Sequence, residues 1–273
     1  MSGIVAIIQA RMGSSRLPGK VLLPLAGKPM LWHVVDRLQT AEALDTIAVA
    51  TSTEAADDAI VEFCESESIL CFRGSENDVL DRYYQSAVEF EAEIVVRVTA
   101  DCPLIDPVIV ERLIYTCLTE GADHVGALAG SGGRAVGLPA FPEGAGASCL
   151  RASALRGAWE RAECEEDREH VVTYLVRHPE EFRSMYLVPD TDFGHLRWTV
   201  DTTQDLALAE MLYDTLYVDG EIISPKAAIW ASLESPTMAA VNSGMVGREK
   251  YRHIWNDLRL TDDNVATLIW PAE

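Results

Sequence analysis

The stretch "QARMGSSRLPGK", residues 9–20, sets three cations, Arg11, Arg16 and Lys20, into one loop directly after the apolar run "GIVAII". Gly13, Ser14, Ser15 and Gly19 lie between them. Two carboxylates further along occupy comparable places: Asp101 in "VRVTADCPLIDP" and Asp201 in "LRWTVDTTQDL" each follow an apolar, β-branched run. A pliant loop with free backbone N–H groups, two hydroxyls and three cations suits a triphosphate. Its donors can fix the ligand, and its charge can stabilise negative charge moving onto a departing pyrophosphate. Paired carboxylates beside such a loop suit Mg²⁺, which takes one or two carboxylates together with substrate phosphates and waters.

Spacing narrows the choice. A Walker loop needs four residues between its glycines and a Ser or Thr after its Lys. Here five residues separate Gly13 from Gly19, and Val21 follows Lys20. A G-x-G-x-x-G dinucleotide fingerprint is absent as well. The aspartates also have plainer readings. Asp101 can cap a turn, Asp201 precedes Thr202 and Asp205 spaced like a capping box, and Asp106 before Pro107 reads as a helix cap.

For the loop and the aspartates to meet, the chain must bring them to one edge. Short β-branched runs at 4–9, 46–51, 69–72, 94–99 and 123–128 predict strands. Helical patterns lie between them at 29–41, 54–66, 78–90 and 106–118. That alternation predicts an α/β fold, a mostly parallel sheet with helices on both faces. Ligands bind such sheets beyond the carboxyl ends of the strands, where residues 10–20 and 100–106 fall. Beyond 128 the pattern loosens. The Gly-, Ala- and Pro-rich stretch 128–148 reads as an active-site loop or lid. Helices near 152–163 and 167–177, strands at 182–188 and 195–200 and a helix from about 203 follow it. The chain reads as one domain over 1–235 with a patternless tail, 236–273.

The opening "AIIQARMGSSRLPGKVLLPLAGKPMLWHVVDRL" resembles the CTP-dependent sugar-acid cytidylyltransferases. The spore-coat polysaccharide branch is nearest, and the 3-deoxy-manno-octulosonate and acylneuraminate enzymes are more distant. The resemblance implies a Rossmann-like nucleotidyltransferase (GT-A-like) fold, commonly a homodimer, that joins CTP to a sugar or sugar-acid hydroxyl and releases pyrophosphate. It implies metal ligation by Asp101 and Asp201 and catalytic roles for Arg11, Arg16 and Lys20. It also places Gln9, Ala10 and Thr99 where the family reads cytosine. Arg73, Asp78 and Arg82, in "FRGSENDVLDRYYQSA", fall in a segment that shapes the family's nucleotide pocket, although Asp78 and Arg82 are also spaced as a surface ion pair. "EDREHVVTYL" resembles the family's "REHVT" segment, so Arg168, Glu169 and His170, with Arg134 of the 128–148 loop, are acceptor-site candidates. Where the branch carries a Gly-x-Asp-x-Glu-like cluster, this chain has "GAGAS" (144–148), which leaves the acceptor open.

Other readings remain. A sister enzyme could use another nucleotide on a sugar phosphate. A glycosyltransferase would usually carry an Asp-x-Asp metal motif, found here only as Asp190–Asp192. A CTP-binding regulator would need no acceptor site. Composition sets outer limits: 273 residues with 43 acidic against 22 basic side chains give a net charge of −21, which argues against nucleic-acid or anionic-membrane partners. Six cysteines without C-x-x-C or zinc-like spacing read as reduced thiols of a cytoplasmic protein. The start shows no cleavable leader, and no run approaches the ~18 apolar residues of a membrane helix.

Overall fold

Strand β1 (Ile4–Gln9) is buried along nearly its whole length, as a strand must be when helices cover both faces of a parallel sheet. The computed structural model describes residues 3–130, 136–246 and 260–271. After the basic loop, a short hairpin of β2 (Pro24–Leu25) and β3 (Lys28–Pro29) leads into α1 (Met30–Gln39). The alternation then repeats through β4 (Thr46–Ser52), α2 (Asp58–Ser66), β5 (Leu70–Gly74), α3 (Val79–Glu89) and β6 (Ile94–Thr99). Helix α4 (Pro107–Thr119) starts where the sequence predicts: the Asp106 carboxylate accepts the Val108 N–H at 3.1 Å, with Pro107 in the first turn. The chain continues through β7 (His124–Ala127), β8 (Ser148–Arg151), α5 (Ala152–Arg161), α6 (Glu165–His170) and α7 (Thr173–Arg177). Then come β9 (Ser184–Pro189), α8 (Thr203–Leu216), α9 (Pro225–Glu234), α10 (Pro236–Val241) and β10 (Val265–Leu268).

Eight strands form one sheet in the order β10-β9-β7-β8-β6-β1-β4-β5. All neighbours run parallel except β8, which pairs antiparallel with both β6 and β7. The alternation along β1 splits the core into two layers. Ile4, Ala6 and Ile8 pack with α1, α4 and α8, while Val5 and Ile7 pack with α3, α5 and α7. The expected α/β class and mostly parallel sheet are therefore present.

Two expectations change. Residues 195–200 are extended but form no strand of the sheet, because their backbone bonds go elsewhere. Leu196 O accepts from Glu143 N at 2.9 Å, Trp198 N donates to Glu143 O at 2.7 Å and Val200 N to Asp101 O at 2.8 Å. The single helix expected over 167–177 is broken at Val171, whose φ of 67° and ψ of −52° make a tight turn closed by Val172 N–H to His170 O. Within the 128–148 stretch, Ala140, Phe141 and Ala145 are fully buried. The described part of 236–273 joins the same body. It supplies α10 and the edge strand β10, and Trp270, 2% exposed, packs against Phe141 and Phe193 and donates its indole N–H to Asp106. No cysteine is disulfide-bonded, and Cys164 alone is exposed. Among the described residues no helix is long and apolar enough to cross a membrane.

Candidate active site

The basic loop hangs from a buried carboxylate. Met12 N–H donates to Asp57 Oδ1 at 2.7 Å, and Asp57 Oδ2 accepts from the backbone and the hydroxyl of Ser52 at the end of β4. Burial works against that carboxylate's charge, but its hydrogen bonds outweigh burial and hold Asp57 below the usual range. Within the loop, Ser14 N and Gly19 N both donate to Met12 O. Gly19 has a φ of +70°, a conformation costly for other residues. That turn delivers Lys20 into a single 3₁₀ turn with its side chain running inward.

Lys20 Nζ lies 2.6 Å from Asp101 Oδ2 and 2.8 Å from Asp201 Oδ1. These two carboxylates, a hundred residues apart in the chain, thus converge on one point beside the loop. Burial disfavours the ammonium, yet Asp101 and Asp201 outweigh it and raise Lys20 above its ordinary value. Burial likewise disfavours the Asp101 carboxylate, and Lys20 outweighs it and holds the group below the usual range. Arg16 adds a second cation at 2.9 Å from Asp201 Oδ1.

Asp201 is held from behind. Its Oδ2 takes Arg197 Nη2 at 2.8 Å, while the same guanidinium reaches Glu143 Oε1 at 2.6 Å and Asp205 Oδ1 at 3.0 Å. Burial opposes the Arg197 charge, and Glu143 and Asp205 more than reverse that, raising it further above its already high value. The Thr202–Asp205 capping box is present, and Asp205 Oδ2 also accepts from Asp201 N at 3.1 Å. The cap and the site are one structure.

Arg16, Lys20, Asp101, Glu143, Arg197 and Asp201 line a cavity of about 350 Å³, a size that admits a small-molecule ligand. Of the residues singled out in the sequence, Gln9, Ala10, Arg11, Ser14, Ser15, Arg16, Lys20, Arg82, Thr99, Asp101, Glu169, His170 and Asp201 line it. Gly13 stays in the loop without lining it. Arg73 is drawn off by Asp58 at 2.7 Å and by the carbonyls of Ser52 and Glu54. Asp78 caps α3 and binds Arg168, whose Nη1 goes to the Trp159 carbonyl. Neither Arg168 nor Asp78 reaches the cavity, and Asp78 does not pair with Arg82. Arg134 lies outside the described residues. Arg82, only 1% exposed, donates to Ser75 O at 2.6 Å and makes no ion pair among the described residues. His170 is pushed down to about 4, chiefly by burial, so it is neutral at pH 7.

Arg97, Glu143, Arg197 and Met245 also line the cavity, and little in the chain marks them beforehand. Arg97 sits inside a strand and Arg197 in a run read as one, where an alternating pattern hides a functional side chain. Glu143 directly precedes "GAGAS", and the geometry explains that bare stretch. A Cβ on Gly144, whose φ is +95°, would stand 2.6 Å from Thr199 N, and one on Gly146 would stand 2.5 Å from the Ala127 Cβ. Ala145 between them is fully buried. Residues 144–146 have no room for a carboxylate, and Glu143 is the acid this loop presents.

The donor set fits a hard divalent cation. Two carboxylate oxygens converge on a point that an ammonium already occupies, and oxygen is the ligand such ions prefer. Among the described residues no cluster of three or more metal-ligating side chains exists. Asp101 and Asp201 are the carboxylates that would hold such an ion.

Comparison with known proteins accords with this geometry. The family profile described as Cytidylyltransferase matches residues 5–214. The chain is 32% identical over 221 residues to the Spore coat polysaccharide biosynthesis protein SpsF of Bacillus subtilis, covering 78% of this chain and 87% of that one. It is 38% identical over 125 residues to the 3-deoxy-manno-octulosonate cytidylyltransferase of Trichlorobacter lovleyi, covering 46% and 49%. Among solved structures, a cytidylyltransferase from Leptospira borgpetersenii superposes with a TM-score of 0.77 at 26% identity, over 87% of this chain and 97% of that one.

Proposed function

Since the chain belongs to the cytidylyltransferase family, we propose that it transfers CMP from CTP to the hydroxyl of a sugar or sugar acid, releasing pyrophosphate, in the synthesis of a surface-glycan or polysaccharide precursor. The observation that carries this reading is the meeting of Lys20, Asp101 and Asp201 within 2.8 Å contacts at the mouth of the basic loop. Positive charge and paired carboxylates in one cavity are what phosphoryl chemistry on a triphosphate requires.

In this reading the loop amides, Ser14, Ser15, Arg11 and Arg16 bind the triphosphate, and Gln9, Ala10, Thr99 and Arg82 bound the nucleoside end. The acceptor oxygen forms a bond to the α-phosphorus as the bond to pyrophosphate breaks, and the hydroxyl proton leaves to solvent. Lys20 keeps its charge in the buried site and stabilises the negative charge that collects on the leaving group. Asp101 and Asp201 would hold Mg²⁺, which when bound supplies neutralisation of phosphate charge. Glu169, neutral His170 and Glu143 form the wall on the acceptor side. The relatives' names, a polysaccharide biosynthesis protein and a sugar-acid cytidylyltransferase, support the acceptor class. A cytoplasmic homodimer completes the proposal, and light scattering of the purified chain would test the dimer.

Pyrophosphate release tests the reaction directly. The purified chain with Mg²⁺ is given CTP, UTP, GTP or ATP against a panel of sugar acids and sugar phosphates. Release with CTP and a sugar acid is expected. Release with another nucleotide and not CTP would replace the donor, and failure of CTP to bind by calorimetry would overturn the reading.

A further inference from the structure

Asn242, at the end of α10, is 5% exposed and places its amide in the network behind Asp201. Its Nδ2 donates to the Arg197 carbonyl at 2.9 Å and to Asp205 Oδ1 at 3.0 Å. Arg197 is the residue that takes Asp201 Oδ2, at 2.8 Å, and so turns Oδ1 toward the cavity. Met245, three residues further on, lines the cavity itself. The family profile ends at residue 214, so both side chains come from a segment beyond it.

We propose that the segment 236–246 is part of the active site, with Asn242 as a positioning residue that fixes Arg197 and Asp205 and thereby the Asp201 carboxylate. The argument is one of constraint. A carboxylate that shares a cation with phosphate must hold its rotamer while Lys20 and Arg16 compete for it. Arg197 can fix that rotamer only if its own position is fixed, and Glu143, Asp205 and Asn242 do so from three separate parts of the chain. Removing the amide leaves the Arg197 carbonyl and Asp205 Oδ1 each short of a donor in a buried site, and the arginine is free to tilt. Asn242 itself does not line the cavity.

This inference rests on the nucleotide and metal reading above, and it is tested by a readout other than turnover. Mn²⁺ binding is titrated by electron paramagnetic resonance with CTP present, for the wild type, Asn242→Ala, Arg197→Lys and the double variant, alongside thermal melting. Loss of a group that orients a metal ligand typically weakens binding by ~10–100-fold, so Asn242→Ala should bind Mn²⁺ roughly tenfold more weakly. In the Arg197→Lys background the same change should cost far less, because the two act in series. As a control, Ser235→Ala removes the cap on the Met238 N–H. It should lower the melting temperature and leave Mn²⁺ affinity alone. Should Asn242→Ala not fold, Asn242→Ser, which keeps one donor, is read in its place. Unchanged Mn²⁺ affinity in the Asn242 variant, or equal losses in both backgrounds, would overturn the proposal while the function stands. A wild type that binds no Mn²⁺ with CTP would overturn both.

Discussion

Lys20 is bound on two sides by carboxylates, and that arrangement makes a specific prediction about its loss. With Lys20→Ala the Asp101 and Asp201 oxygens face each other without the ammonium between them. The variant should fold, lose ~10²–10³ in turnover as expected for one electrostatic contact, and gain more thermal stability from added Mg²⁺ than the wild type does. Melting curves with and without Mg²⁺, beside a turnover assay, check both halves. Asp101→Asn should likewise fold and lose most turnover. These residues were legible because their types stand out against the surroundings: a lysine among four in the chain, and aspartates directly after apolar runs. Arg168 and Arg73 were legible as charges but not as partners. Asp78 and Asp58, which draw them away from the cavity, are near in space, and no spacing in the sequence announces that.

At the scale of elements, the loop depends on what anchors it. Asp57 joins the start of the basic loop to the end of β4 through a buried carboxylate. Hydrogen bonds to a charged group are typically worth ~1.5–3 kcal/mol, so Asp57→Ala should cost about that in urea unfolding and raise the KM for CTP. Gly144→Ala tests the other side. Its Cβ would stand 2.6 Å from Thr199 N, and something must shift to admit it. Glu143 should then part from Arg197, with a loss of both stability and turnover. The first half of the sheet was readable because each strand is a brief β-branched run between helices long enough to show their period. Strand β8 is four residues, "SCLR", and its place between two earlier strands depends on pairing that periodicity does not record. The break at Val171 carries no Gly or Pro, so the pattern ran through it as one helix.

Across the whole molecule, three histidines set a pH response: buried His33, lowered by desolvation, buried His124 and half-buried His170. Burial pushes both His124 and His170 down to about 4, whereas in the unfolded chain they titrate near ~6.5. Below that value the unfolded state takes up protons that the folded state refuses. Stability is therefore intact above it and falls as pH drops toward 4, by up to ~1.4 kcal/mol per pH unit for each histidine. Asp57, Asp101 and Asp205, held below the usual range, add their losses only at still lower pH. Melting temperatures from pH 7 to 4.5 should show the decline, and His124→Asn should flatten it. The antiparallel placement of β8 has a consequence for how the protein is made. Strands β5, β4, β1 and β6 are contiguous in the sheet and emerge early from the ribosome. The open edge of β6 must then wait, through the synthesis of β7, for a strand that begins only at Ser148. For that interval the nascent chain presents an unpaired parallel edge, the kind of surface on which neighbouring chains stick, so recovery of native protein should depend on the speed of translation between residues 100 and 151.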